Sequence, residues 1–326
     1  MEGEPIAHLR GPGGNGPGAG EHGPDGPRGP QRPRRRDPLT GTLADRISAL
    51  LGREVRRAAR AGTSHDWTLS YAELDDGTRL FVKSLTRGSP AMGVLTAEAR
   101  GLEWLGRCFG SPVITPQGWD DHLLVLPWVA EDEPSQGAAE RLGRQLAGTH
   151  LTGADAFGAA WPGFIGPLPL DNTQSDDWPT FYAEQRLRPY LRRALDQGSL
   201  TPGDAREVER VVDAVARLAG EAEPPARVHG DLWNGNVLWR ERDAVLIDPA
   251  AHGGHREADM AMLALFGLPH LDRVRDAYNE VAPLSAGWRG RVALHQLHPL
   301  LVHLCLFGAA YRTTTLEAAR SALRAG

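Results

Sequence analysis

The stretch that most constrains this chain is residues 227–262, R-V-H-G-D-L-W-N-G-N-V-L-W-R-E-R-D-A-V-L-I-D-P-A-A-H-G-G-H-R-E-A-D-M-A-M. Within it Asp231 is followed five residues later by Asn236, and a second acid, Asp248, ends an apolar run. Between them, residues 237–240 and 244–247 read as two short strands around the polar turn 241–243, a hairpin pattern. Such a hairpin brings the loop before it and the acid after it side by side, which is the spacing of a phosphotransferase. Transfer of a phosphoryl group from ATP asks the protein chiefly for alignment and charge neutralisation. In this reading Asp231 accepts or orients the proton of the attacking hydroxyl, Asn236 holds a magnesium ion, and Asp248 bridges magnesium to the nucleotide phosphates. Mg2+ takes hard oxygen ligands, commonly one or two carboxylates completed by phosphate and water, and this set supplies them. The competing reading makes Asp231 and Asn236 ordinary residues of a Gly-rich turn and Asp248 a strand end before Pro249. His229-Gly230 in front, the hairpin between and Asp-Pro behind favour the catalytic reading.

Upstream, residues 68–73 and 79–84 read as a hairpin around Asp75-Asp76-Gly77. Lys83, in L-F-V-K-S-L, is a lone cation ending an otherwise apolar strand. In kinases the lysine of that strand contacts the nucleotide phosphates and pairs with a Glu on the next helix. Residues 96–108 read as that helix, with Leu95, Leu102 and Leu105 on or near one face and Glu98 placed to reach Lys83. Standing alone, the two would be an edge-strand charge and a solvated helix residue; beside the downstream set, an ion pair is the better expectation. Gly62, Thr63 and Ser64 precede the first of these strands, where a kinase places its phosphate-covering loop, and their amides and hydroxyls would approach the phosphates. They form no G-x-G-x-x-G, and a plain turn would read the same. Residues 121–129 read as a strand entering the connection between lobes, which puts Leu126, Pro127 and Trp128 at the adenine-facing positions. Pro127 has no amide to donate, leaving its carbonyl and the Trp128 amide for the base.

The segments H-G-D-L-W-N-G-N, I-D-P-A and G-H-R-E-A-D-M-A-M, followed by Leu265-Phe266-Gly267, resemble the fructosamine (ketosamine) kinase family, a branch of the aminoglycoside-phosphotransferase-like kinases. E-A-R-G-L-E-W-L resembles that family's helix, as does the run from Phe164 to Gly166 through Asp171, Asn172, Thr173, Trp178, Phe181, Tyr182, Arg186 and Leu187. The likeness covers residue 41 to the C-terminus and is densest over 228–267. It implies an α+β, bilobal protein-kinase-like fold: a small nucleotide-binding lobe with an antiparallel sheet (39–129) and a larger, mostly helical catalytic lobe (130–326). It also implies ATP-dependent phosphorylation of a sugar hydroxyl on a ketosamine, whose sugar is carried by a free amine or by a glycated protein lysine. Phosphorylation at the third carbon of that sugar makes the adduct decompose, a deglycation chemistry. Pro127 departs from the family, which usually carries an acid there. Trp233 and Asn234 lie where the acceptor would be positioned, and Trp233 would stack on the sugar or its aglycone, with core packing as its rival role. His229 would hold the loop through hydrogen bonds. Of the charged cluster His255, Arg256, Glu257 and Asp259, His255 is the candidate for substrate contact, while Asp259 would anchor the catalytic loop with Arg256 as its internal partner.

Composition narrows the rest. A chain of 326 residues, 41% hydrophobic, can bury a two-lobed core, and a formal charge of -5 gives no reason to expect nucleic acid. No apolar stretch reads as long and as free of polar residues as a bilayer span requires. Two isolated cysteines, Cys108 and Cys305, fit buried small hydrophobes in a reducing, cytoplasmic setting. Residues 1–38, rich in Gly and Pro and ending in arginines, read as a disordered tail. His295, His298 and His303 share one Leu-rich helical stretch; carboxylate partners are not evident and Pro299 breaks the repeat, so surface or satisfied core histidines are expected rather than a metal site. The rival functions are an aminoglycoside, choline or homoserine-type kinase, which shares the same acids, and a nucleotide-binding pseudokinase scaffold, which would need none of them. The sequence leaves monomer and homodimer both open.

Overall fold

Thr42 opens the first helix, α1 (Leu43–Leu51), by accepting the Asp45 amide while the Asp45 carboxylate accepts the Thr42 amide at 2.8 Å, and Gly52 closes it in the left-handed region. The computed structural model describes residues 41–325 apart from 87 and 90, so the tail expected over 1–38 lies outside the described residues. Five antiparallel strands follow, β1 (Val55–Ser64), β2 (Trp67–Leu74), β3 (Arg79–Ser84), β4 (Gly118–Trp119) and β5 (Leu123–Pro127), in the order β1-β2-β3-β5-β4, with α2 (Val94–Gly106) between β3 and β4. Side chains alternate across a strand. Leu80 and Val82 therefore meet Ile47 of α1 on one face, while Lys83, one residue on, points with Phe81 toward the α2 face that Leu95, Ala99 and Leu102 cover.

The larger lobe contains α3 (Gln136–Leu151), the short hairpin β6 (Gly163–Ile165) and β7 (Leu168–Leu170), α4 (Trp178–Phe181), α5 (Arg188–Asp196) and α6 (Pro202–Leu218). After these come β8 (Ala226–Val228), β9 (Val237–Trp239), β10 (Ala244–Leu246), β11 (His252–Gly254), α7 (Glu257–Leu265), α8 (Leu271–Val281), α9 (Trp288–Phe307) and α10 (Arg312–Ala325). β9 pairs with β10 and β11 with β8, both antiparallel, so the segment between β8 and β11 is held at both ends. This is an α+β arrangement with a sheet-bearing small lobe and a helical large one.

The structure adds to or corrects the sequence reading at four points. β1 precedes the strands read from the sequence, and residues 163–170, to which that reading assigned no strand, carry the β6–β7 hairpin. Between α4 and α5 the chain makes a π-helical turn, Tyr182–Leu187, just before Pro189. A proline cannot donate to the turn before it, and a widened turn is one way a helix absorbs that loss. Finally, one stretch, Trp288–Ala325, is long and apolar enough by length and composition to cross a bilayer, contrary to the sequence reading; 56% of its apolar window is buried among the other helices of this lobe.

Candidate active site

The β9–β10 hairpin joins the loop before it to the acid after it through main-chain bonds. The Ile247 amide donates to the Asn236 carbonyl (3.1 Å), and the Ile247 carbonyl accepts Nε2–H of His229 (2.9 Å). His229 Nδ1 in turn accepts the Asp231 amide (3.3 Å), so one buried imidazole spans the loop and the residue before Asp248. The loop is fixed from below by Asp259, whose carboxylate accepts the amides of His229 (2.7 Å) and Gly230 (3.0 Å) and Nε2–H of His150 (3.1 Å). Gly230 has φ +80, and a Cβ there would lie 2.4 Å from the Ala250 carbonyl oxygen, so only glycine lets the loop sit this close to β11.

At the open face, Asn236 Nδ2 donates to both the carbonyl (2.8 Å) and the carboxylate (3.2 Å) of Asp231. Its amide nitrogen is therefore committed to Asp231, and its oxygen has no protein donor among the described residues. Asp248 sits at φ 55, a left-handed position uncommon for a non-glycine, of the strained kind that gathers at functional sites. Its carboxylate lies 2.6 Å from Lys83 Nζ, which also contacts both Glu98 oxygens at 2.9 Å. Lys83 and Glu98 are buried, whereas 38% of the Asp248 side chain remains exposed. Burial alone would lower the Lys83 ammonium, but the Asp248 and Glu98 carboxylates outweigh it and raise the group above its ordinary range. Burial pushes Asp231 up to about 7, the Asp248 charge adds to that, and the Asn236 amide opposes it. Asn236 Oδ1 and the Asp248 carboxylate are hard oxygen donors of the kind a magnesium ion takes.

The other expected site residues are placed less simply. Trp233 is half-buried, its indole over Gly235, where a Cβ would lie 2.3 Å from the ring, and edge-on to Phe266 at 6.1 Å; Asn234 is exposed. Gly62, Thr63 and Ser64 lie in the end of β1, paired with Leu69, Thr68 and Trp67, and not in a loop before the first strand. The turn is His65-Asp66, with His65 at positive φ. Leu126 and Pro127 pair with Phe81 and Leu80, and the Trp128 amide is not available to a ligand, because it donates to the Arg79 carbonyl at 3.0 Å. Alternation along that ladder turns the Pro127 carbonyl away from β3, where its missing amide costs no bond. The Val129 amide, which the sequence reading passed over, faces the same way as that carbonyl and has no hydrogen-bond partner among the described residues.

His255 is buried, and a role in contacting substrate in the open cleft is not where the structure puts it. It packs against Trp178 (5.0 Å) and His295 (4.8 Å) beside a small internal cavity. Arg256 does not pair with Asp259; it forms two bonds with Glu223, at 2.6 and 2.9 Å. Nor is His295 without a carboxylate neighbour, since Glu257 Oε2 lies 3.4 Å from its Nε2. Ligand atoms of His255, Glu257 and His295 lie within 4.8 Å of one another, but both Glu257 oxygens already accept from Arg291, at 2.6 and 2.9 Å. A guanidinium in that position takes the charge a cation would need. These partners were not legible because each lies more than thirty residues from its mate.

A kinase-fold phosphotransferase is the class that this fold and site define. A sequence profile described as fructosamine kinase matches residues 43–325. Assigned ketoamine kinases include one from Synechocystis, 31% identical over 87% of this chain and 96% of its own length. The chloroplastic protein-ribulosamine 3-kinase of Arabidopsis thaliana is 35% identical over 76% of this chain and 77% of its own. A crystal structure from Thermobifida fusca, assigned as a fructosamine-3-kinase, shares 66% identity and superposes with a TM-score of 0.85 over 87% of this chain and 99% of that one. At 17% identity and a TM-score of 0.57, the macrolide 2'-phosphotransferase of Brachybacterium faecium shares the fold, over 85% of this chain and 97% of that one. The chain belongs to the fructosamine kinase family.

Proposed function

We propose that this protein is an ATP- and magnesium-dependent ketosamine kinase that phosphorylates a sugar hydroxyl of a fructosamine or ribulosamine, a step toward removing the adduct. The observation that carries the reading is the Lys83 ammonium held by Glu98 and Asp248 in a protein whose Asp231 and Asn236 are hydrogen-bonded to each other. In this proposal residues 39–129 form the nucleotide lobe and 130–326 the catalytic lobe. Asn236 and Asp248 would hold magnesium, which would supply neutralisation of the phosphate charge; Lys83 binds and orients the phosphates, and Glu98 fixes Lys83. Adenine reads the Pro127 carbonyl and the Val129 amide. Amides and hydroxyls at the β1–β2 turn cover the phosphates. Asp231, raised toward neutrality by burial, accepts the proton of the attacking hydroxyl, and the Asn236 amide holds its carboxylate in place. Trp233, seated over Gly235, offers a flat face to the sugar or its aglycone, and Asn234 a polar rim.

The test is ADP release with magnesium-ATP on fructosamine and ribulosamine acceptors, free and on glycated protein, beside an aminoglycoside and choline. Turnover confined to the ketosamines is the expected result. Turnover confined to the aminoglycoside or choline contradicts the substrate assignment, and no turnover with any acceptor contradicts the enzyme.

A further inference from the structure

Beneath the catalytic loop, on the side of Gly230 that faces the helices, lies a cavity of about 40 Å³. That is room for roughly three waters or one small polyatomic ion. Arg186 lines it and is fully buried, at 1% exposure. The guanidinium donates to the Asp171 carbonyl and to Asn172 Oδ1 (2.8 Å) and lies 4.3 Å over the Phe181 ring, but no carboxylate pairs with it among the described residues. Its Nε finds no acceptor. The same wall carries buried His298, whose Nε2 is unpartnered, and buried His295, whose Nδ1 is unpartnered while its Nε2 lies 3.4 Å from Glu257 Oε2. Asp259 reaches the wall as well, but its oxygens are taken by two loop amides and His150.

Burying a cation without a counter-charge is among the costliest arrangements a protein interior can hold, and neutral acceptors offset only part of it. The cation's influence shows on its neighbours: burial and then the Arg186 charge hold His298 well below the ordinary imidazole range, and His252 at about 3. Both rings stay neutral and add no further charge; the one N–H of His252 is donated to the Ala250 carbonyl (2.8 Å), so His298 is the ring left to offer a donor. A wall holding a guanidinium with no carboxylate partner among the described residues, its Nε unused, beside the unpartnered Nε2 of His298, is chemically complementary to a negative guest. Water would satisfy the donors but not the charge.

We propose that this cavity is a binding site for a small anion, of halide or carboxylate size, with Arg186 as its counter-ion. The proposal does not depend on the acceptor the enzyme uses. Two measurements test it on the whole protein. In crystals grown with bromide, anomalous scattering should place an ordered bromide against Arg186. In solution, thermal unfolding at constant ionic strength, with formate or inorganic phosphate replacing gluconate, should show a saturable rise of ~3 °C or more for an anion that fits. Formate acting alone would mark a carboxylate-sized site, and phosphate acting too a larger one. Arg186→Gln should abolish the saturable rise. If that variant does not fold, the bromide map decides. Waters alone in the cavity, with identical melting in every salt, would overturn the proposal.

Discussion

Among the described residues two cations are buried, Lys83 and Arg186, and the molecule treats them differently. Lys83 is held by two carboxylates, one buried and one exposed; Arg186 meets a carbonyl, a side-chain amide and an aromatic face. The first arrangement leaves a charge balance that a metal and a nucleotide can enter by drawing on the exposed Asp248. The second leaves a positive site with no carboxylate partner among the described residues. Burial of charge is thus informative here according to what neutralises it: the paired cation belongs to the proposed phosphotransfer centre, and the one without a carboxylate partner to the proposed anion site.

The sharpest way to break this contrast is Asp248→Asn. It removes the metal-facing acid but leaves Lys83 its buried partner, so turnover should fall by ~10³-fold with the fold intact; retained turnover would remove Asp248 from the centre. Lys83→Met should cost about 3 kcal/mol of stability, because Glu98 is left buried without its cation. Adding Glu98→Gln should restore much of that loss, and a double variant no better than the single would show that the pair is not coupled. Urea titrations of the three proteins read this out. A smaller effect concerns Asp231. Its carboxyl is raised to about 7 in the folded chain, so the native state binds a proton that the unfolded chain has already released above its ordinary value of 3.8. Stability from this group is therefore lost as pH rises. Asp231→Asn should melt higher than the parent by a gap that opens from about pH 4 and levels off above about pH 7; a constant gap would contradict the burial assigned to Asp231. The smallest expected effect is Gly235→Ala, whose methyl must displace the Trp233 indole. It should raise KM for the acceptor several-fold and leave KM for ATP unchanged, and an unchanged acceptor KM would detach Trp233 from substrate binding.

What the sequence makes legible follows how local the signal is. The loop, hairpin and acid of residues 229–248 are contiguous, so spacing alone sets their order, and period-two alternation puts Lys83 on the face of Glu98. The strand β1 was missed because its arginines leave both faces largely exposed and no alternation survives. With β1 absent, Gly62–Ser64 read as a loop. Trp128 looked free because its partner, Arg79, belongs to the neighbouring strand. His255 looked like a cleft residue because the rings that enclose it, Trp178 and His295, come from distant helices. The isolation of Arg186 is the least legible of all, since a missing counter-ion leaves no trace in a string of letters.

The most direct test of the central claim, that Asp231 is the group that takes the acceptor proton beside a magnesium-nucleotide site, is a paired measurement on Asp231→Asn: ADP release with a ketosamine acceptor, and binding of magnesium-ATP by calorimetry. Turnover should fall to background while nucleotide binding stays near that of the parent protein. Turnover close to the parent's, with the same nucleotide affinity, would contradict the account.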